Sequence, residues 1–344
     1  MQSEWADDGD DSLRGFDLGS QWDSVLATGG YVVGIEVSGR GQRVAVADLR
    51  GQIVERTPVE GDASLSADDL RLRLRNLVTE TLNKADIPMD RVVRIGIAFG
   101  GPVDAGRGVI LYSPRTPGYD NLPIAAVLEN DLKVPTFLDN DARAAALGEA
   151  IFGAGRGEEH IIYVHLGTGV GGGIILNGQL QQGVTTTAGE IGNVIVNPDA
   201  HQGGGRPGRL EAYASARAIM HHARERAIAA GGESVLLTGS ALTPKKVFEA
   251  ARDGDRAARE TVEEAVRMLG LALANLVTTL NPGVIIVGGQ VAEAGPLLFE
   301  PLRSTIRQYA MDVPGRAVRI APAELKADAP LVGAVAMALQ SLNR

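Results

Sequence analysis

Apolar residues along this chain follow two rhythms that alternate from one end to the other. Short runs rich in β-branched residues stand at Tyr31 to Ile35, Val44 to Leu49, Ile53 to Thr57, Val92 to Ile97 and Thr136 to Leu138. Each has the length of a strand. Such runs return at Ile161 to Leu166, Gly173 to Leu176 and Val284 to Val287. Between them the spacing changes to that of a helix face. Leu70, Leu74, Leu77 and Val78 lie on one side of a segment that Ser66 can cap, with Asp68 and Asp69 placed to complement the dipole. Further helices are expected over Leu122 to Leu132, over Ala142 to Phe152, from Arg209 onward, and near Gly295. The longest is expected over Ala257 to Leu280, where Val262, Val266, Leu269, Leu273 and Leu276 form one face. Strands alternating with helices predict an α/β protein whose ligands sit in a crevice at strand ends. A strand, a Gly-rich turn and a second strand occur once from Tyr31 and again from Ile161, which predicts a duplicated architecture.

Composition narrows the classes. At 344 residues the chain is long enough for two domains sharing a cleft. Only 4% of residues are aromatic, so the core must be aliphatic. A net charge of −9 disfavours non-specific nucleic-acid binding, since no cationic excess exists to release phosphate counterions. Arg71, Arg73 and Arg75 do not change this, because a spacing of two scatters them around their helix as a solvated face. With no Cys, disulfides and thiolate-bound metal are excluded. No apolar run is long enough to cross a bilayer, no secretory signal opens the chain, and a cytoplasmic location is expected. Residues 1–30 are acidic and Gly-rich, and read as a poorly ordered tail, a cloning scar or the end of a truncated upstream domain.

Three segments carry candidate chemistry. In His165-Leu166-Gly167-Thr168-Gly169-Val170-Gly171-Gly172-Gly173 the glycines let backbone approach a polyanion, and Thr168 adds a hydroxyl. A tight hairpin of small side chains would look the same. Gly288-Gly289 after Val287 is a second such strand end. Asp139-Asn140-Asp141 ends a strand and opens a helix, where a carboxylate can accept a proton from a hydroxyl or simply cap the helix. Glu190, with Gly192 and Asn193 after it, and Glu211 bracket a loop, and can hold sugar hydroxyls or serve as a turn and a first-turn charge.

In their order and spacing these segments resemble the ROK family of repressors, open reading frames and kinases. Asn140-Asp141 with Ala145-Ala146-Leu147-Gly148-Glu149 is similar to that family's catalytic segment, and Gly167 to Gly173 to its second phosphate loop. Gly189-Glu190-x-Gly192 and Leu210-Glu211-Ala212-Tyr213-Ala214-Ser215 resemble its sugar-contact segments. Val287-Gly288-Gly289 resembles its adenosine-side strand end, and Ala329-Pro330-Leu331-Val332-Gly333-Ala334 its closing helix. The resemblance implies an actin-like, RNase H-like pair of α/β domains with a sugar and a nucleotide meeting in the cleft. It places residues 31–139 with 327–344 in a small domain and 140–326 in a large one. It implies a glucokinase-like hexose kinase using ATP and Mg²⁺. Asp141 would be the base, Asn140, Glu190, Asn193 and Glu211 the sugar contacts, and Gly39, Gly167, Thr168, Gly169, Gly171, Gly288 and Gly289 the nucleotide side. A small-molecule sugar is the expected partner, neither nucleic acid nor membrane is, and a homodimer or larger homo-oligomer is expected.

The chain departs from the family at three places. The first phosphate loop usually reads Asp-x-Gly-Gly-Thr-Lys, and here reads Glu36-Val37-Ser38-Gly39-Arg40-Gly41. Arg40 or Arg43 is a candidate to serve a phosphate instead. The family's zinc site takes a His and three Cys, whereas Asn193, Gln202, Gly204 and Arg209 stand at those places and His201 alone cannot replace them, so no zinc is expected. An Asn that contacts sugar is here Arg115. The alternative to a kinase is a non-catalytic, sugar-sensing regulator of the same family. Its helix-turn-helix would not fit in the short acidic stretch before Tyr31.

Overall fold

The computed structural model describes residues 29–59, 65–113, 118–200, 208–231, 234–238 and 241–343. The expected tail, apart from Gly29 and Gly30, lies outside these residues, as do Arg115, His201, Gln202 and Gly204.

β1 (Tyr31–Ser38) and β2 (Gly41–Asp48) form an antiparallel hairpin closed by the pair Ser38 and Gly41. Only Gly39 and Arg40 are left for the turn, so the ladder runs further than the apolar residues do. β3 (Ile53–Arg56) completes the meander. α1 (Ala67–Lys84) starts where the Ser66 hydroxyl accepts the Asp69 N–H, and it buries Leu70, Leu74, Leu77 and Val78. On its exposed face Arg71 pairs with Asp131 at 2.5 Å. After β4 (Val92–Phe99), β5 (Val103–Asp104) and β6 (Val109–Ile110), α2 (Ile124–Leu132) begins two residues later than its apolar pattern, directly after Pro123. β7 (Thr136–Asn140) leads straight into α3 (Asp141–Phe152).

The second half repeats the plan. β8 (Ile161–Leu166), β9 (Val170–Leu176) and β10 (Gln179–Leu180) are again a meander. The helical stretch expected from Arg209 is broken at Ser215 into α4 (Glu211–Ala214) and α5 (Ala216–Ala229), with the Ser215 hydroxyl capping α5. α6 (Pro244–Arg252) and α7 (Arg256–Leu280) follow, then β11 (Val284–Gly288), α8 (Pro296–Tyr309), α9 (Asp312–Ala317), β12 (Arg319–Pro322) and α10 (Ala329–Gln340). The apolar pattern did not disclose α6, α9 or β12, nor the two-residue strands β5, β6 and β10. β12 offers only Ile320 and Ala321 as buried residues, too few to stand out as a strand.

The two sheets have matching orders, β3-β2-β1-β4-β7 and β10-β9-β8-β11-β12. In each, an antiparallel meander is extended by parallel strands, β1 with β4 and β7, and β8 with β11 and β12. The chain divides into two compact units. The first takes residues up to Glu158, the excursion Gly178–Ala188 and Ala327–Arg344, and the second takes the rest. The sequence reading started the large domain at residue 140, which would have separated α3 from β7. Packing keeps them together, because α3 lies against α10 at backbone distance. A β-carbon at Gly333 would fall 2.0 Å from the Ala144 carbonyl oxygen, and one at Gly148 would fall 2.9 Å from the Gly333 nitrogen. α10 approaches the sheet as closely, since a β-carbon at Gly96 would lie 2.1 Å from the Ala334 oxygen. Among the described residues no helix is long and apolar enough to cross a membrane.

The close approach makes Gly333→Ala a direct test. The added methyl has no room unless a backbone moves, so the variant should lose about 1–3 kcal/mol or more. Urea unfolding should show this as a lower midpoint with an unchanged slope. An unchanged midpoint would mean that α3 and α10 are not in backbone contact.

Candidate functional site

In the first unit, the carboxyl ends of the parallel strands β1, β4 and β7 gather Ser38, Gly100-Gly101 and Asn140-Asp141. Asn140 is the N-cap of α3, its Oδ1 accepting the N–H groups of Ala142 and Arg143. Its Nδ2 donates to the Gly101 oxygen at 3.1 Å, which ties the end of β7 to the loop after β4. Asp141 is the first residue of α3 and half-buried. Its Oδ1 accepts the Ala142 N–H at 2.8 Å. A β-carbon at Gly100 would lie 3.2 Å from Asp141 Oδ2 and 3.5 Å from the Ser38 Cα, so Gly100 keeps the space between carboxylate and hairpin clear. Gly100-Gly101 carries no role in the sequence pattern considered above. Its position at the end of a parallel strand was the available signal.

Behind Asp141 lies a buried ion pair. Asp139 Oδ1 accepts Arg143 Nε at 2.6 Å and the Asn140 N–H at 2.7 Å, and Asp139 Oδ2 accepts Arg143 Nη2 at 3.2 Å. Arg143 Nη1 donates onward to the carbonyls of Gln181 at 2.7 Å and Ala188 at 3.0 Å, both in the excursion. Arg143 thus braces the first turn of α3. Sequence reading missed it, although an acid and an Arg at i and i+4 were visible.

The first phosphate-loop position differs from its expected use. Glu36 is buried, with 2% exposure, and its Oε2 accepts Arg43 Nε at 2.6 Å. Arg43 also donates to Asp328 Oδ1 at 2.5 Å and to the Ala327 oxygen at 2.5 Å, while Arg56 meets Asp328 Oδ2 at 2.8 Å. All three guanidinium nitrogens of Arg43 are therefore committed to this latch, and Arg43 does not supply a phosphate contact. Arg40 is the more exposed of the two and lies 3.8 Å from Glu36 Oε1. Glu36, neutralised and enclosed, does not fit a magnesium ligand. Gly39 sits exposed at the hairpin tip beside Arg40.

In the second unit the carboxyl ends of β8 and β11 come together. The loop Gly167–Gly169 is short, because Gly171 to Gly173 lie within β9, and Gly171 pairs with His165 in the ladder rather than offering a loop amide. The Gly167 N–H donates to the Gly169 oxygen at 3.0 Å, and the Gly167 oxygen accepts the Ala216 N–H at 2.8 Å. Among the described residues no acceptor is bonded to the N–H groups of Thr168 and Gly169. The Val170 N–H donates to Glu211 Oε2 at 2.9 Å. Glu211 therefore braces the loop with one oxygen, while its Oε1 lies 3.8 Å from exposed Arg217. Gly289, at φ 87°, admits no side chain because a β-carbon would lie 2.6 Å from the Leu166 carbonyl. At Gly288 it would lie 2.5 Å from Tyr163 Oη. Packing between strands explains both glycines.

Glu190 and Asn193 are exposed and linked, Asn193 Nδ2 donating to Glu190 Oε2 at 2.8 Å. Arg209 Nη1 donates in turn to Asn193 Oδ1. Where the resemblance places metal ligands, Asn193 and Arg209 thus bond to each other.

Paired α/β units with the same sheet order and strand-end loops define the actin-like two-domain fold. Within it, the chain belongs to the ROK family, whose family model matches residues 32–341. It is 32% identical over 310 residues to a glucokinase of Thermotoga maritima, covering 89% of this chain and 96% of that one. It is 27% identical over 317 residues to a xylose repressor of Caldicellulosiruptor bescii, covering 91% of this chain and 79% of that one. Among solved structures, the ROK family glucokinase of Streptomyces griseus in complex with glucose and AMPPNP matches with a TM-score of 0.75. There the identity is 32%, and 90% of this chain and 100% of that chain are covered.

The latch can be tested by a mutant cycle. Arg43→Met strands the buried Glu36 carboxylate and should cost about 3–5 kcal/mol. Adding Glu36→Leu removes the stranded charge and should recover most of that loss. Equal destabilisation of the single and double variants in urea would show that the two residues do not act as a unit.

Proposed function

We propose that this protein is an ATP-dependent sugar kinase in which Asp141 is the general base. The observation that carries this reading is the half-buried carboxylate just past the end of β7, with Oδ1 fixed by the Ala142 N–H and Oδ2 beside Gly100. A base held so can take a hydroxyl proton as the sugar oxygen attacks the γ-phosphorus of ATP and ADP departs. Phosphoryl transfer asks mainly for positioning and charge neutralisation, which ATP-bound Mg²⁺ supplies. Asn140, Glu190, Asn193 and the outward oxygen of Glu211 are the sugar-side groups. The N–H groups of Thr168 and Gly169 and the Thr168 hydroxyl are the phosphate donors. Gly167, Gly288 and Gly289 shape the nucleotide side, with Gly39 at the hairpin. Relatives support this reading: the Thermotoga glucokinase by similarity over most of its length, and the Streptomyces griseus glucokinase by its glucose and AMPPNP.

A second reading, a non-catalytic sugar sensor, is favoured by the Glu36–Arg43 latch, which engages both of these side chains with each other rather than with a nucleotide. The similarity to a xylose repressor supports it too.

Asp141→Asn separates base from cap. As a base, its loss should lower turnover about 10²- to 10⁴-fold with sugar affinity little changed. As a cap, the change is nearly neutral, since Asn caps about as well as Asp. ADP release would be measured across common hexoses and amino sugars with MgATP. No turnover by the wild type with any of them, alongside weaker sugar binding in the variant, would replace the kinase by the sensor.

Sugar should also stabilise the fold more than nucleotide does. At about 100 times its Kd a cognate sugar should add roughly 2.7 kcal/mol. A thermal shift with MgATP and none with any sugar would reverse this order.

A further inference from the structure

The first unit contains a cavity of about 470 Å³ that none of the roles above employs. Its wall includes Asp139 and Ala144 but neither Asn140 nor Asp141, so it is distinct from the carboxylate of Asp141. The volume falls within the roughly 300–1,000 Å³ of small-molecule sites.

The lining selects a ligand class. Phe137, Leu147 and Met337 give apolar surface, and side-chain amides come from Gln179, Gln182 and Gln340. Gln182 and Gln340 are half-buried, so each amide is partly withdrawn from water. An amide carries both a donor and an acceptor, the pair that a sugar hydroxyl needs. Among the described residues no Lys, Arg or His lines the cavity, which leaves a phosphate or carboxylate without a counter-charge. A cation fares no better, because Asp139 is already paired with Arg143. Apolar surface flanked by amides, with no charge to spare, matches the C–H faces and hydroxyls of a carbohydrate.

We propose that this cavity binds a neutral polyhydroxylated molecule of mono- to disaccharide size. Binding there requires neither nucleotide nor turnover, so it stands apart from the kinase reading. It bears on Asp141 all the same. Asp139 and Gln181 line the cavity and are also two of the three residues that Arg143 bonds. An occupant therefore rests on the contacts that hold the first turn of α3.

The test is calorimetry on the full chain carrying Glu190→Ala and Glu211→Ala, which removes both sugar-side carboxylates. The probes are D-glucose, D-xylose and maltose, with D-glucose 6-phosphate as the anionic comparison. We expect one neutral probe to bind at a single site per chain with a Kd of about 1 mM or tighter. Affinity should fall at least about 10-fold, or 1.4 kcal/mol, when Gln340→Trp fills the cavity. Gln182→Leu keeps side-chain volume and removes one amide, and should weaken binding even if the tryptophan disturbs α10. No binding by any neutral probe, binding indifferent to both cavity variants, or equal binding of D-glucose 6-phosphate would each overturn the proposal.

Discussion

Backbone contact between α10, α3 and the first sheet is the constraint on which the site in the first unit depends. Gly96, Gly148 and Gly333 leave no room for a side chain, and neither does Gly34, with a β-carbon there 2.6 Å from Val335 Cγ2. Helices ordinarily pack 8–10 Å apart, at distances set by their side chains. Here that spacing is reduced to what glycine and alanine allow. Ala142, Ala144, Ala145 and Ala146 are all buried on α3, and nearly every residue of α10 is buried. Dense packing of this kind deforms little and moves as a block. Asp141, at the first turn of α3, inherits that rigidity.

Two buried arginine–carboxylate pairs then divide the work at the strand ends. Breaking either by removing one partner leaves a charge in a low-dielectric interior, which is costly, so both are all-or-none features. Arg143 binds Asp139 and two carbonyls of the excursion, and so braces the segment that bears Asp141. Arg43 binds Glu36 and the residues that precede α10, and so closes the first hairpin on itself. One pair supports a carboxylate that can accept a proton. The other takes a carboxylate out of use.

The second unit solves the same problem by different means. Its loop after β8 is short, its glycines are demanded by Tyr163, Leu166 and Glu211 at close range, and the amides of Thr168 and Gly169 bond to no acceptor among the described residues. Glu211 gives one oxygen to the loop through the Val170 N–H and turns the other outward. A single side chain thereby couples the shape of the Gly167–Gly169 loop to a candidate sugar contact.

The alternation of β-branched runs and helical spacing determined the fold class, because strand and helix periods are local properties of the chain. The duplication was legible too, as a strand–glycine–strand unit at Tyr31 and again at Ile161. Asn140-Asp141 and the Gly167 loop stood out because their residues are adjacent in sequence. What neighbouring residues could not disclose was decided by distant partners. The boundary near residue 140 was misplaced because α3 is held by Gly333, far along the chain. Sequence left Arg40 and Arg43 as alternative phosphate contacts, and Glu36, Asp328 and Ala327 together occupy the nitrogens of Arg43. Gly171 read as a loop residue until the ladder placed it opposite His165. Local periodicity thus gave the elements, while the use of each polar side chain depended on which partner the fold delivered, since a buried charge must be paired wherever its partner lies in the sequence.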